Sequence, residues 1–287
     1  MQKWLEVQMC TTPDFLPHLI SLLVSQKIKS WVEEEGENQV KITIYIPYFE
    51  GVEKYLAPFK SLMDVKKIQV VAREIEDENW AESWKKFFTI LHIGERFVLK
   101  PPWAEYQPEE NEIVIEIEPR MAFGTGYHPT TVGTLRLMEK HIKPGMKVLD
   151  MGCGSGILSL AAAELGASEV IGMDYDEICI RESAENYRLA QKKNPALTSG
   201  CQFVLSDGFE KVTEKYDAVL VNIFTSFILH YQQAISDSLK PGGLFVSGSI
   251  GSGKMEDVIL GFDMVNMILL EKIEENGWEG AVFQRLA

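Results

Sequence analysis

Two glycine-rich runs lie close together in this chain, MAFGTGYHPTT at residues 121–131 and VLDMGCGSG at residues 148–156. In the second run, Gly152 and Gly154 follow a strand-like stretch and permit a tight turn and a close backbone approach to a ligand. The dinucleotide pattern G-x-G-x-x-G would need another glycine where the chain has Ile157, and no P-loop Gly-Lys-Ser/Thr follows. The second run therefore favours a ligand loop that does not cradle a pyrophosphate.

An acidic residue stands at the tip of the next predicted strand, Asp174 in IGMDYDE. At this position a carboxylate can accept hydrogen bonds from ribose hydroxyls. Together with the glycine loop it indicates adenosine that carries something other than a diphosphate, and S-adenosylmethionine is the obvious ligand. The alternative is a loop that only tightens strand–helix packing beside a helix-capping aspartate. The sheet pattern around both features disfavours it.

Asn222 ends a further apolar stretch, VLVNIFTS at residues 219–226. That position is the carboxyl edge of a parallel sheet, where open α/β sheets bind ligands. Its side-chain carbonyl could hold an amine. A hydrogen-bonded turn asparagine is the alternative.

The elements that must position these residues alternate between helices and apolar strands from Pro129 onward, which predicts a doubly wound, mostly parallel α/β sheet. The tail around ENG predicts an antiparallel hairpin on one edge, which makes seven strands in a Rossmann-like domain at 111–287. The predicted strands are 147–151, 169–174, 202–207, 217–223, 244–250 and two in the tail, and the predicted helices are 129–142, 156–166, 177–193 and 226–239.

Residues 1–76 carry the order β-α-β-β-α-β, with helices at 14–26 and 52–63, which predicts a small ferredoxin-like α/β domain. Residues 77–110 are predicted to be a linker helix followed by connecting strands that include RFVLKPPW, and EIVIEIEP just beyond them is predicted to be a further strand. Trp80, Trp84 and either Phe87 or Phe88 share one apolar face of that helix. The face either packs on a core or docks a domain or partner.

The composition excludes several classes of function. Net charge is −14, without a basic overall balance, so a nucleic acid partner is disfavoured and none is required, although the sequence leaves room for a local basic patch. The negative field favours a basic protein partner, unless it serves solubility alone. No apolar run is long enough for a membrane helix and the start does not resemble a signal peptide, so a cytoplasmic protein is expected. The four cysteines lack metal-type spacing, and free thiols with no metal site are predicted.

Four stretches in this order, MAFGTGYHPTT, VLDMGCGSGILSLAA, GMDYDE and VNIF, resemble the PrmA family. These are bacterial S-adenosylmethionine-dependent methyltransferases of the large-subunit ribosomal protein L11. The resemblance spans the chain, because the N-terminal unit, WAESWKKFF and GERFVLKPPW are also similar. GCGSG alone would indicate only the broad methyltransferase class, whereas AFGTGxHPTT ahead of it is close to diagnostic.

The resemblance implies a set of cofactor contacts, with S-adenosylhomocysteine as the product. It also implies that the N-terminal domain recognises L11 and that lysine and N-terminal amino groups receive the methyls. A monomer is expected. The predicted cofactor-binding residues are Thr131, Gly152, Asp174 and Asn222, with Gly154, Gly126, Phe123 and Thr130 beside them.

The first glycine run would close over the methionine end of the cofactor, and the second would carry the adenosine end. Thr130 and Thr131, behind the helix-starting Pro129, would present hydroxyls and N–H groups to the cofactor carboxylate. His128 is either a general base or a brace for the loop. Tyr127 stands where the family usually has threonine, which leaves the shape of the acceptor pocket open.

Asn222 is the single predicted catalytic residue: it would position the acceptor amine, with no dedicated base. Three alternatives remain. The acceptor could be another lysine-bearing protein, or the chain could be a non-catalytic protein that docks on ribosomal assemblies. A small amine or RNA as acceptor is disfavoured by the dedicated N-terminal domain and by the negative charge, respectively.

Overall fold

A computed structural model describes residues 3–25, 28, 32–35, 39–47, 59, 68–76, 88–118, 124–195, 197 and 200–286. The chain divides into two compact units, Met1–Phe87 and Phe88–Ala287. The predicted linker helix lies outside the described residues up to its last position, Phe88, which is not helical. Within the described ranges, no helix is long and apolar enough to cross a membrane.

The first unit is built on a four-stranded antiparallel sheet of order β2-β3-β1-β4. The strands and α1 follow the predicted succession β-α-β-β-α-β along the chain, and in the sheet β1 lies between β3 and β4. Alternate residues of β1 and β3, such as Val7 and Ile44, are buried beside α1. The predicted second helix lies outside the described residues except for the buried Phe59. The bounds are β1 Lys3–Thr11, a 3-10 turn Pro13–Phe15, α1 Leu16–Ser25, β2 Val32–Glu35, β3 Val40–Pro47 and β4 Gln69–Glu76.

The second unit opens with a small three-stranded sheet of order β5-β6-β7. Its strands are β5 Leu91–Ile93, β6 Phe97–Lys100 and β7 Ile113–Glu116. The predicted strands in RFVLKPPW and EIVIEIEP are confirmed, whereas β5 was not predicted. Phe97, Leu99 and Ile115 are buried in the core of the large domain.

A seven-stranded sheet of order β10-β9-β8-β11-β12-β14-β13 forms the centre of the second unit. Strands β8 to β12 pair in parallel, and the predicted tail hairpin pairs antiparallel on one edge. The strands are β8 Lys147–Met151, β9 Glu169–Asp174, β10 Gly200–Leu205, β11 Tyr216–Val221, β12 Leu239–Gly251, β13 Met267–Glu275 and β14 Trp278–Arg285. The helices are α2 Pro129–His141, α3 Ile157–Glu164, α4 Glu177–Lys193, α5 Thr225–His230, α6 Gln232–Ser238 and α7 Met255–Asp263.

The prediction of one continuous helix over 226–239 is wrong, because α5 and α6 are separated at Tyr231. Tyr231 leaves the helical region, with φ −101° and ψ 14°. Its ring packs against Phe227 at 4.5 Å and Phe209 at 5.5 Å. Tertiary packing of the aromatic ring thus accompanies the break.

Both faces of the large sheet are covered, as expected for parallel strands. Val148 and Leu220 face one core, while Leu149 and Val219 face the other. Because β8, β9 and β11 are parallel neighbours, their carboxyl ends lie at one edge of the sheet. The predicted ligand residues follow these ends.

Candidate active site

The second glycine run forms a tight loop between β8 and α3. Gly152, Gly154 and Gly156 all have positive φ, at 72°, 53° and 81°. A Cβ at Gly152 would lie 2.6 Å from Cδ1 of Ile223, the residue after Asn222. The loop therefore needs glycine both for its conformation and for its close approach to the end of β11.

Asp174 is buried at the end of β9 and is bonded to the glycine loop. Its Oδ2 accepts a hydrogen bond from the backbone N–H of Gly154 at 3.0 Å, and its Oδ1 accepts one from the N–H of Asp176 at 3.0 Å. A carboxylate has about four acceptor sites in total, so two backbone donors leave capacity for hydroxyl donors. The geometry is compatible with the predicted ribose contact.

The first glycine run contacts the second one directly. Ser155 Oγ donates a hydrogen bond to the carbonyl oxygen of Gly124 at 2.5 Å. A Cβ at Gly126 would lie 2.3 Å from Leu99 Cδ2 and 2.6 Å from Ile157 Cδ1. The two runs are therefore parts of one packed structure. Phe123, also predicted to bind the cofactor, lies outside the described residues.

Two residues that support these loops were missed in the sequence. Ser155 joins the runs, and the buried Asn186 of α4 donates through Nδ2 to the Ser155 carbonyl at 2.9 Å. A signal for Asn186 was available, because it lies next to Tyr187 on the face of α4 that the apolar periodicity assigns to the core. A buried amide in a helix normally has a hydrogen-bonding role.

The start of α2 carries three of the singled-out residues. His128 caps the helix: its Nδ1 accepts a hydrogen bond from the N–H of Thr130 at 3.3 Å and lies 2.8 Å from Thr130 Oγ1. Burial lowers the pKa of His128, which favours the neutral ring. The geometry accords with the loop-brace interpretation. Thr130 and Thr131 are buried in the first turn, behind Pro129.

Tyr127 holds the first glycine run to the beginning of the second unit. Its hydroxyl donates to the carbonyl oxygen of Thr89 at 2.5 Å, and its ring meets that of Phe88 edge-on at 5.1 Å. Burial raises the pKa of Tyr127 to about 12, so the hydroxyl remains a donor at neutral pH. The structure thus gives Tyr127 an anchoring contact that a threonine is too short to make.

Asn222 follows the last residue of β11 and is turned toward α2. Its Nδ2 donates to Thr131 Oγ1 at 3.1 Å. Its Oδ1 is buried and has no hydrogen-bond partner among the residues that the structure describes. A buried amide oxygen without a partner is uncommon and marks a place where a ligand N–H could bind.

Asp150, near the end of β8, was not singled out in the sequence. It is fully buried, and its Oδ2 accepts a hydrogen bond from Ser159 Oγ at 2.6 Å. Within the described part of the chain its Oδ1 has no partner. Burial raises the pKa of Asp150 to about 7, because the charged form is poorly solvated there. An acid inside the apolar stretch VLDM was the available signal.

The carboxyl edge of the sheet is thus surrounded by the two glycine runs, the buried carboxylate of Asp174 and the Asn222 amide, whose oxygen lacks a hydrogen-bond donor. This edge is the ligand crevice of an open α/β fold. The family model described as "Ribosomal protein L11 methyltransferase (PrmA)" matches residues 20–285. The chain belongs to this family. It is a methyltransferase, as the resemblance implied.

Relatives that carry the description "Ribosomal protein L11 methyltransferase" match most of the chain. The Listeria innocua protein is 37% identical, over 84% of this chain and 74% of its own length. The Chloroflexus aurantiacus protein is 31% identical, over 99% and 98%. The crystal structure of a ribosomal protein L11 methylase from Lactobacillus delbrueckii subsp. bulgaricus has a TM-score of 0.62 at 23% identity, covering 70% of this chain and 100% of that one, and supports the fold.

Proposed function

We propose that this chain transfers methyl groups from S-adenosylmethionine to lysine and N-terminal amino groups of ribosomal protein L11. The observation that carries the proposal is the buried, unpartnered Oδ1 of Asn222 at the carboxyl edge of the sheet. This oxygen lacks a hydrogen-bond donor, and an N–H group of an acceptor amine can supply one. The descriptions of the relatives support L11 as the protein that bears the amine.

The cofactor would lie along the two glycine runs. Gly152, Gly154 and Asp174 would hold the adenosine end, because the carboxylate is bonded to the loop and retains acceptor capacity. Thr130 and Thr131, through their hydroxyls at the N-terminal end of α2, would hold the carboxylate of the methionine end. Gly126 and Phe123, the other predicted contacts in the first glycine run, would cover that end.

Bound S-adenosylmethionine supplies a methyl group on a positively charged sulfur. The protein has to align the amine with that methyl and keep the amine neutral, because an ammonium ion has no lone pair and the unperturbed lysine pKa is about 10.4. Asn222 Oδ1 would accept one N–H of the neutral amine and so orient its lone pair. Loss of the amine proton to solvent before binding makes a dedicated base unnecessary, and His128 is already engaged by Thr130.

The remaining assignments concern the partner and the division of the chain. Residues 1–76 would recognise L11, 77–110 would connect the domains, and 111–287 would carry out the transfer. A net charge of −14 suits a basic protein substrate and disfavours direct contact with nucleic acid. The enzyme would act as a cytoplasmic monomer.

The test is mass spectrometry of purified L11 after incubation with the protein and S-adenosylmethionine, with RNA and bulk ribosomal proteins assayed in parallel. Methyl additions confined to amino groups of L11 are expected. Asn222→Ala should abolish most of the turnover even at saturating S-adenosylmethionine. Tight cofactor binding without methylation of L11, or full turnover by Asn222→Ala, would contradict the corresponding part of the proposal.

A further inference from the structure

Phe224 is a large apolar side chain left exposed beside the candidate active site. It stands two residues after Asn222, and 61% of it is accessible to solvent. The structure shows Phe224 in an extended conformation, with φ −112° and ψ 156°, just before α5. Most of the ring surface therefore faces solvent and is open to a ligand.

The ring is supported from behind by an aromatic cluster. Phe224 meets Phe227 edge-on, with centroids 6.5 Å apart and planes at 89°. Phe227 in turn packs against Tyr231 at 4.5 Å and against Phe209 at 6.5 Å. Phe227, Phe209 and Tyr231 all pack on the buried core. The exposed ring is thus held by a fixed base, as a binding surface requires.

The residue between Asn222 and Phe224 faces the glycine loop. Ile223 packs against the loop, where a Cβ at Gly152 would come within 2.6 Å of its Cδ1. The chain bends at Ile223. Residues two apart lie at most about 7 Å from each other at Cα, so the exposed ring stands close to the unpartnered Asn222 Oδ1.

We propose that Phe224 forms the wall of the acceptor site and binds the methylene stem of an amine-bearing alkyl side chain whose nitrogen reaches Asn222 Oδ1. This inference rests on the proposed function and specifies its acceptor as lysine-like. The stem is apolar and matches the ring, while the polar end matches the amide oxygen. The aromatic face also attracts alkylated ammonium groups, so it favours retention of a partly methylated amine for a further transfer.

The residue is therefore expected to determine both acceptor affinity and the degree of methylation. Phe224→Ala removes the wall, whereas Phe224→Leu keeps an apolar contact without an aromatic face. Met264→Ala is a matched control, because Met264 is an 81% exposed apolar residue just after α7. Cofactor Kd by calorimetry, KM and kcat with L11, and the distribution of methyl states by mass spectrometry are the readouts.

We expect Phe224→Ala to bind S-adenosylmethionine as the wild-type chain does and to lose roughly tenfold in kcat/KM for L11, mainly through KM. Phe224→Leu should recover most of the KM but yield fewer of the more highly methylated products. Met264→Ala should match wild type in every readout. Wild-type values of kcat/KM and product distribution for Phe224→Ala would overturn the inference, and so would a loss confined to cofactor binding.

The same variants assayed on bulk ribosomal proteins separate this inference from the proposed function. If wild type methylates a lysine-bearing protein other than L11 and Phe224→Ala does not, the inference holds and the choice of L11 fails. If wild-type protein binds S-adenosylmethionine but methylates no amine in either sample, both are overturned.

Discussion

The side-chain amide of Asn222 donates a hydrogen bond to the hydroxyl of Thr131 at 3.1 Å, across 91 residues of sequence. This bond directs the Asn222 amide nitrogen toward Thr131, so the amide oxygen, Oδ1, points in a different direction. Because Thr131 is fully buried in the first turn of α2, its hydroxyl is a fixed acceptor. The position of the Asn222 oxygen is therefore set by a residue of the first glycine run.

Thr131→Val should uncouple this pair. Valine has a similar shape but no acceptor, so the Asn222 amide loses the partner that fixes its orientation. The loss of one hydrogen bond in a buried site costs about 1–3 kcal/mol. We expect kcat at saturating cofactor to fall roughly tenfold. Thr131→Ser keeps the hydroxyl and should retain most of the activity. Equal kcat values for the valine and serine variants would show that the bond does not orient Asn222.

Asp174→Asn should weaken cofactor binding while the fold is kept. The carboxylate accepts hydrogen bonds from the N–H groups of Gly154 and Asp176 on different oxygens. In asparagine one of these oxygens becomes an NH2 group, which cannot accept, so one of the two bonds is lost. Hydrogen bonds to a charged acceptor contribute about 1.5–3 kcal/mol, so the Kd for S-adenosylmethionine should rise roughly tenfold or more. Calorimetric titration measures the effect directly.

A neighbouring aspartate offers the control for that substitution. Asp176 caps α4 by accepting from the N–H of Ile178 at 2.8 Å, and asparagine is an equally good helix cap. Asp176→Asn removes the same charge two residues away and should leave the Kd close to that of the wild type. If both variants bind the cofactor equally well, Asp174 is not a cofactor residue.

The positions of the site residues were predictable because they depend on strand ends. The apolar stretches that end in Asp174 and in Asn222 both pair in parallel with β8, so their carboxyl ends must share an edge of the sheet. The glycines were predictable for a similar reason, because positive φ is a local property of the chain. Strand ends and glycine conformations can therefore both be predicted from short stretches of sequence.

The contacts that connect the site were not predictable from the same patterns. The bond from Ser155 to Gly124 and the bond from Tyr127 to Thr89 join segments far apart in sequence. The local sequence around Ser155 and Tyr127 is equally compatible with side chains that do not make these bonds. The break at Tyr231 has the same origin, since helix periodicity continues through a residue whose ring packs on Phe209.

Asp150 should make the stability of the protein fall as pH rises toward neutrality. Burial raises its folded-state pKa to about 7 from the 3.8 of an exposed aspartate. Between these values the folded chain keeps a proton that the unfolded chain has released, so the free energy of unfolding decreases with rising pH and levels off above about pH 7. Asp150→Asn is neutral and should remove this decrease.

Urea unfolding of wild type and Asp150→Asn between about pH 5 and pH 8 measures the effect. The stability advantage of the variant should grow through this range. Asp263→Asn removes an exposed carboxylate and controls for the change in net charge. An advantage that stays constant with pH would mean that Asp150 is already charged in the folded protein at about pH 5.

Gly248→Ala should displace the first turn of α2 and with it the cofactor site. A Cβ at Gly248, in β12, would lie 2.2 Å from the carbonyl oxygen of Thr130 and 2.6 Å from the backbone nitrogen of Thr134. Both are backbone atoms, so the helix has to move, and overpacking of this kind costs about 1–3 kcal/mol. Because the same turn carries Thr131, the cofactor Kd should rise together with a lower Tm.

Gly133→Ala tests the same helix–sheet interface without the clash. A Cβ there would meet Glu275 Cβ at 3.6 Å and Ile273 Cδ1 at 3.7 Å, which are ordinary contacts. Alanine in a helix is favoured over glycine by about 0.5–1 kcal/mol, so this variant should have an equal or higher Tm and wild-type Kd. Opposite effects of the two substitutions are expected, since only one forces α2 away from β12. A Gly248→Ala protein with lowered Tm and unchanged Kd would show that the close approach stabilises the fold without positioning Thr131.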